Sequence, residues 1–261
     1  MARTYQRRES RRLNASTGRK FRFQHPPDSH DSENMILAAL PAEEHSHLRQ
    51  YLEFVPLKFG AVLWEANQPI EFVFFPTSGM VSLLAMMRNG ATAEVGIIGR
   101  EGFVGTAVVL GAREAPIRAV VQGEGAGFRI ESELLRRTLS EAPQLEQMLR
   151  RYAHALAMQV AQAAACNCLH QVPERLARWL AMAIDRIGSD LLPLTQEFLA
   201  QMLGCRRASV TSAVGRLQKA GIISSGHGQF RILDRKQLER RSCECYRVMK
   251  ELSDVSRAAQ S

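Results

Sequence analysis

Residues 195–233 read TQEFLAQMLGCRRASVTSAVGRLQKAGIISSGHGQFRIL, and this stretch decides the fold. Thr195 has the side-chain oxygen that caps a helix, predicted over Gln196–Leu203. Gly204-Cys205-Arg206-Arg207 is a turn, in which Gly204 allows a left-handed backbone. A second helix is predicted from Arg207 to Ala220. Small Ala200 lets the two helices approach, and Val210 faces inward to plug the pair. Ala200, Gly204 and Val210 thus carry the spacing of a helix-turn-helix. Gly221 ends the second helix. Ile222–Ser224 and Gln229–Leu233 are strands about the turn Ser225–Gly228, and Asp234–Gln237 opens a last helix like a capping box. Helix-turn-helix plus hairpin is a winged helix.

The side chains at the start of the second helix suit double-stranded DNA. Arg206 and Arg207 can read guanine edges, and the hydroxyls of Ser209, Thr211 and Ser212 can reach bases or phosphates. Arg216 and Lys219 lie one or two turns later, better placed for phosphate. Charge is distributed to match: residues 1–24 carry +7, residues 25–172 carry −5 and residues 173–261 carry +6. A basic C-terminal third joined to an acidic body suggests a polyanion-binding module fused to something else.

Working towards the N-terminus, Pro173 marks a domain joint, since it expels Val172 from the helical region and opens a helix over Glu174–Ile187. Before it a helix runs from about Pro143 to His170 without internal Gly or Pro. Leu145, Leu149, Tyr152, Leu156, Gln159, Ala163, Cys166 and His170 follow a 4-3-4-3 spacing. That is a coiled-coil seam, and it predicts a parallel homodimer through Leu145, Leu149, Tyr152, Leu156, Ala163 and Cys166. The alternative is a helix packed on its own barrel.

Earlier still the period shortens. Val55–Gly60, Ala61–Trp64, Glu71–Phe75, Met80–Met87, Ala93–Ile98 and Ile117–Gln122 are short β-type runs between Gly and Pro turns, the pattern of a small antiparallel barrel or jelly roll. Asn34–Leu52 and Glu131–Leu139 read as short helices. Residues 1–34 are basic and polar: a disordered leader, a start set too far upstream, or an arm for DNA phosphates. The expected fold is α+β: tail 1–34, β-roll 35–142, dimerisation helix 143–172, winged helix 173–240 and a helical tail 241–261.

With 46% apolar and 23% charged residues, the chain is neither disordered nor collagen-like, and its apolar runs are too short for a membrane span. Five Cys clustered late do not form a secreted disulfide framework, so a reducing cytoplasm is expected. No Walker loop, dinucleotide fingerprint, nucleophile elbow or His-Glu-x-x-His occurs, so no enzyme is expected.

The whole order resembles the Crp–Fnr family of bacterial transcription regulators over roughly residues 35–235. The resemblance rests on Phe59–Leu63, Asn67–Pro69, Phe74, Ser78–Val81, Gly99–Gly105 and Leu199–Val210. It implies a cyclic-nucleotide-binding-like sensory roll, a dimer helix, two reading heads on a pseudo-palindrome, RNA polymerase as a partner of an activator, and an unidentified small-molecule effector. The implied effector pocket is Gly102, Phe103, Val104, Gly105 and Thr106, with Arg113 or Arg118. Thr106 stands where cyclic-nucleotide binders of the superfamily have Glu. Residues 114–118, Glu-Ala-Pro-Ile-Arg, replace their Arg-Ser/Thr/Ala pair, and Pro116 offers no N–H. Cyclic AMP is therefore not the expected effector. The absence of Cys before Cys166 argues against the iron–sulfur cluster of the oxygen-sensing branch. No cofactor is expected.

Cys166 and His170 share a helix face at i, i+4, whereas Cys168 points elsewhere. Cys166 is open to two readings, inert packing or a thiol switch across the dimer. Cys243-x-Cys245 in a polar last helix has no second ligand pair beside it, so no metal is expected. Cys205 reads as packing. A non-specific architectural DNA binder is the other function considered, although it would leave the β-roll without a purpose.

Overall fold

The computed structural model describes residues 34–226 and 228–254, so the basic tail lies outside the described residues. The described residues open with α1 (Met35–Ala38) and α2 (Ala42–Arg49), two short helices in place of the single one expected. Asn34 anchors them: its Oδ1 accepts from the Ile36 and Leu37 amides, and its Nδ2 donates to Pro76 O and Gly102 O. A fully buried amide is thereby satisfied, as burial of a polar group requires.

The β-roll follows. Strands β1 (Glu53–Leu57), β2 (Val62–Trp64), β3 (Gln68–Pro69), β4 (Phe72–Pro76), β5 (Met80–Met86) and β6 (Thr92–Ile98) lead to helix α3 (Thr106–Val109). Then come β7 (Glu114–Ala115), β8 (Ile117–Gly123) and β9 (Gly125–Glu131). All pair antiparallel, in sheets ordered β1-β9-β4 and β2-β8-β5-β6, with β3 against β7. Leu57, Val73, Phe75, Val81, Ile98, Phe103, Val121 and Ile130 fill the roll. Helix α4 (Ser132–Leu139) closes it, its Ser132 hydroxyl donating to Ile70 O.

Helix α5 (Pro143–Leu169) is 27 residues long, about 40 Å. Here the structure corrects the expected seam. Leu145, Leu149, Tyr152 and Leu156 are buried in the chain's own β-roll core, and Cys166 is buried against Cys243. Tyr152 lies over Phe103 at 5.4 Å between ring centroids, and so close to Gly102 that a Cβ there would overlap its ring. The heptad spacing was real, but it records a face covered by the same chain. The opposite face is open: Arg151, His154, Met158, Ala161, Ala165 and Cys168 are exposed at an alternating 3-4-3-4-3 spacing.

The helix ends at Leu169, one residue short of the expected His170, but Val172, expected outside the helical region, is the first residue of the next helix. Gln171 caps α6 (Val172–Ile187) in a capping box with Glu174, so Pro173 sits in the first turn of α6. The winged helix then comprises β10 (Leu191–Leu192), α7 (Gln196–Met202), α8 (Arg207–Lys219), β11 (Ile223–Gly226), β12 (Gln229–Ile232) and α9 (Arg235–Arg241). Its sheet runs β10-β12-β11. Trp179, Leu180, Leu199, Val210, Leu217 and Phe230 form its core, which is continuous with Met80, Leu84, Ile97 and Val120 of the β-roll. Helix α10 (Cys245–Asp254) is not the polar tail expected: Cys245, Tyr246 and Met249 are buried.

Candidate functional site

Each half of α8 is set by its neighbours. Thr195 Oγ1 accepts from the Phe198 amide at 3.1 Å and caps α7. Gly204, at φ +58°, makes the turn as predicted. The buried Arg175 guanidinium donates to Leu203 O at the C-terminal end of α7, where a cation complements exposed carbonyls. Val210, Ala213, Val214 and Leu217 face inward, with none more than 4% exposed. At this helical period the outer face must carry Arg207, Ala208, Thr211, Ser212, Arg216 and Lys219, and all six are exposed, as is Arg206 at the N-cap.

The expected contact residues separate into groups. Arg206, Arg207, Ser212, Arg216 and Lys219 are on the open face. Thr211 is exposed, but its hydroxyl donates to Gln196 Oε1 at 2.7 Å. Ser209 is half-buried. Arg207 pairs with Glu197 at 3.5 Å, with both side chains about 70% exposed, a weak contact that an incoming phosphate can displace. A groove separates this helix start from the wing, lined by Thr195, Gln196, Arg207, Ser225, Gln229 and Phe230. Sequence reading overlooked Arg231. It stands exposed on β12 between buried Phe230 and Ile232, an alternation legible in the sequence.

The second helix thus presents an exposed basic and hydroxyl face, flanked by a hairpin. Residues 174–241 match the family model of the Crp-like helix-turn-helix domain, and residues 54–142 match that of the cyclic nucleotide-binding domain. The chain belongs to the Crp–Fnr family of transcription regulators. It is a regulator of that type, with a helix-turn-helix DNA-binding domain. No curated protein sequence is a significant match.

Several solved structures share the fold. One, described as a transcriptional regulator of the Crp/Fnr family from Eubacterium rectale, is 16% identical with a TM-score of 0.62, covering 77% of this chain and 94% of its own. FixK2 from Bradyrhizobium japonicum is 14% identical with a TM-score of 0.61, covering 74% and 98%. The c-di-GMP-responsive global regulator CLP of Xanthomonas campestris is 16% identical with a TM-score of 0.60, covering 74% and 100%. Among the described residues no helix is long and apolar enough to cross a membrane.

The expected effector residues of this Crp–Fnr chain are largely packed. Phe103 and Val104 are fully buried, with Phe103 stacked on Phe75 at 5.9 Å, and Val104 bridges to Phe74. Gly102 lies under Tyr152, Gly105 is buried, and Thr106 begins α3 half-buried. Arg118 pairs with Glu65 at 3.1 Å, and Arg113 is exposed.

The cysteines are where sequence and structure part most. Cys166, His170, Cys243 and Cys245 converge, although 77 residues separate Cys166 from Cys243. Cys166 faces Cys243 within its own chain rather than a symmetry mate, which speaks against the reading of a thiol switch across the dimer. The Cys166 thiol is pulled well below its ordinary range, chiefly by the hydrogen bond from Cys243, whose own thiol is pushed up. Burial raises Cys205, in keeping with packing.

Proposed function

We propose that this chain is a homodimeric regulator that reads a pseudo-palindromic DNA site with the α8 helices in successive major grooves, half-sites about one helical turn apart. The observation that carries this is the outer face of α8: Arg207, Ser212, Arg216 and Lys219 are exposed over a fully packed inner face. Arg206 and Arg207 are assigned to base edges, Arg216 and Lys219 to phosphates, and Arg231 of the wing to the flanking backbone.

The dimer contact is assigned to the open face of α5. Met158 is 40% exposed and Leu169 is 79% exposed. Ala161, Ala164 and Ala165 between them are small enough for two helices to pack closely. Its residues repeat at the interval of a two-stranded seam.

Cyclic AMP is not the assigned effector. Arg118 is committed to Glu65, and Tyr152 and Phe103 fill the space over Gly102. Any signal reaching the β-roll would act through the core that Met80, Leu84 and Ile97 share with Trp179 and Leu180.

Selection of bound sequences from random DNA by the purified protein, without added ligand, tests this reading. A two-fold symmetric motif, bound at least ~10³-fold better than random DNA, is the expected result. Sequence-independent binding that vanishes with modest salt would overturn it and leave an architectural DNA binder.

A further inference from the structure

Three thiols and an imidazole meet where the end of α5 touches the joint between α9 and α10. Cys166 comes from the last turn of α5 and His170 is that helix's C-cap, while Cys243 lies in the joint and Cys245 opens α10. Their ligating atoms all lie within 4.8 Å of one another. Cys166 Sγ is 3.5 Å from Cys243 Sγ, and Cys245 Sγ is 3.6 Å from His170 Nδ1. A tetrahedral zinc ion with Zn–S of about 2.3 Å and Zn–N of about 2.0 Å has edges of about 3.5–3.8 Å. Two of its six edges are already near that length, and no pair of the four atoms is more than 4.8 Å apart.

The surroundings fit a metal as well. His170 Nε2 bonds the Glu244 carboxylate at 3.1 Å, leaving Nδ1 turned to the thiols; a carboxylate on the far nitrogen is how ligating imidazoles are oriented. Gln162 Nε2 donates to Cys245 Sγ at 3.1 Å, a bond that a metal-bound thiolate retains. The buried guanidinium of Arg178 acts electrostatically on both Cys166 and Cys243, offsetting the surplus charge of three thiolates around one divalent ion. Cys166, Cys243 and Cys245 form a cluster of their own, apart from the two apolar cores.

We propose that Cys166, His170, Cys243 and Cys245 bind one structural zinc ion, which pins α10 to the end of α5 beside the α5–α6 break. Thiolate-rich tetrahedral coordination selects zinc over magnesium or calcium. Four protein ligands, with the three cysteines at most 6% exposed, make a closed site with no position for catalysis. The site is independent of the DNA reading: the protein can hold the metal whatever sequence it recognises.

Two measurements on the full chain, purified under reducing conditions without chelator, test it. Elemental analysis is expected to give about one zinc per chain. Cobalt(II) titrated into metal-stripped protein is expected to give thiolate-to-metal charge-transfer bands and the intense visible bands of a tetrahedral ion. C168S and C205S keep both signals, and C243S loses them. Where a cysteine variant fails to fold, E244Q supplies the second handle, since it leaves all four ligands and weakens metal binding ~10–100-fold. The proposal is overturned by wild-type protein with no stoichiometric metal and no charge-transfer band, by a band that survives C243S, or by a Cys166–Cys243 disulfide in the reduced preparation.

Discussion

Trp179 Nε1 donates a 2.5 Å hydrogen bond to the carboxylate of Glu94, tying the helix that leads into the winged helix to strand β6 of the β-roll. Ser82 Oγ donates to the other carboxylate oxygen. Burial pushes the Glu94 carboxyl up from 4.5 to about 7, against the pull of these two bonds and of Arg178 and Arg186. The folded chain therefore holds this proton more tightly than the unfolded chain, and the stability it gives is complete below the unfolded value and lost as pH rises through 7. E94Q keeps both bonds, with the amide oxygen accepting from Trp179 and the amide nitrogen donating to Ser82. It is expected to stabilise the protein by about 2 kcal/mol at pH 8 and hardly at all at pH 4. Urea unfolding at the two pH values measures the difference, and an equal effect at both would remove Glu94 from this role.

A second link crosses the same boundary. Arg186 Nε lies 3.2 Å from Glu101 and also donates to Ile97 O, with its side chain only 6% exposed. Breaking a buried pair leaves the remaining charge without a partner, which costs more than the pair contributes. R186M is expected to destabilise by about 3 kcal/mol. Adding E101Q to it should recover part of that loss, and denaturant midpoints of the single and double variants report the coupling.

The recognition helix makes separable predictions. R207A should lose ~10–100-fold in affinity, about 1–3 kcal/mol, and relax preference at one base pair. R216A and K219A should weaken all sequences alike and lower the salt dependence by about one phosphate each. Binding titrations against the selected site and a scrambled site, at several salt concentrations, separate the two classes. Unchanged affinity in R207A would take it out of base readout.

Gly102 is held by shape. Any Cβ would overlap the Tyr152 ring, so G102A must displace the aromatic that seals α5 onto the roll. The expected cost is about 1–3 kcal/mol. Y152L should restore part of it, because the clash is with a side chain rather than with backbone. Thermal unfolding of the three variants checks this.

Local grammar was legible and long-range convergence was not. Thr195, Gly204, Val210 and Gly221 announced the helix-turn-helix because caps, left-handed turns and inward plugs act within a few residues. Strand β9 went unread because Gly125-Ala126-Gly127 has poor strand propensity, yet it lies between β1 and β4, where pairing on both edges outweighs propensity. The second ligand pair for Cys243 and Cys245 sits on α5, too far along the chain for any spacing rule to join them. Periodicity on α5 was read correctly as burial, but it carries no record of what does the burying.

That last distinction is open to experiment, because the two faces of α5 predict opposite failures. Leu149 is fully buried in the β-roll core, whereas Met158 and Ala161 are open. L149A removes packed atoms from a core, so it should cost about 2–5 kcal/mol of stability and leave the mass in solution unchanged. A161E adds a charge to a small-residue face, where two copies would set like charges against each other with no room to separate. It should halve the mass seen by light scattering while shifting the unfolding midpoint of the single chain little. DNA affinity should fall with it, since one reading head alone makes half the contacts. If L149A dissociated the dimer and A161E did not, the seam would return to the face first read from the sequence, and the packing of α5 on the β-roll would have to give way.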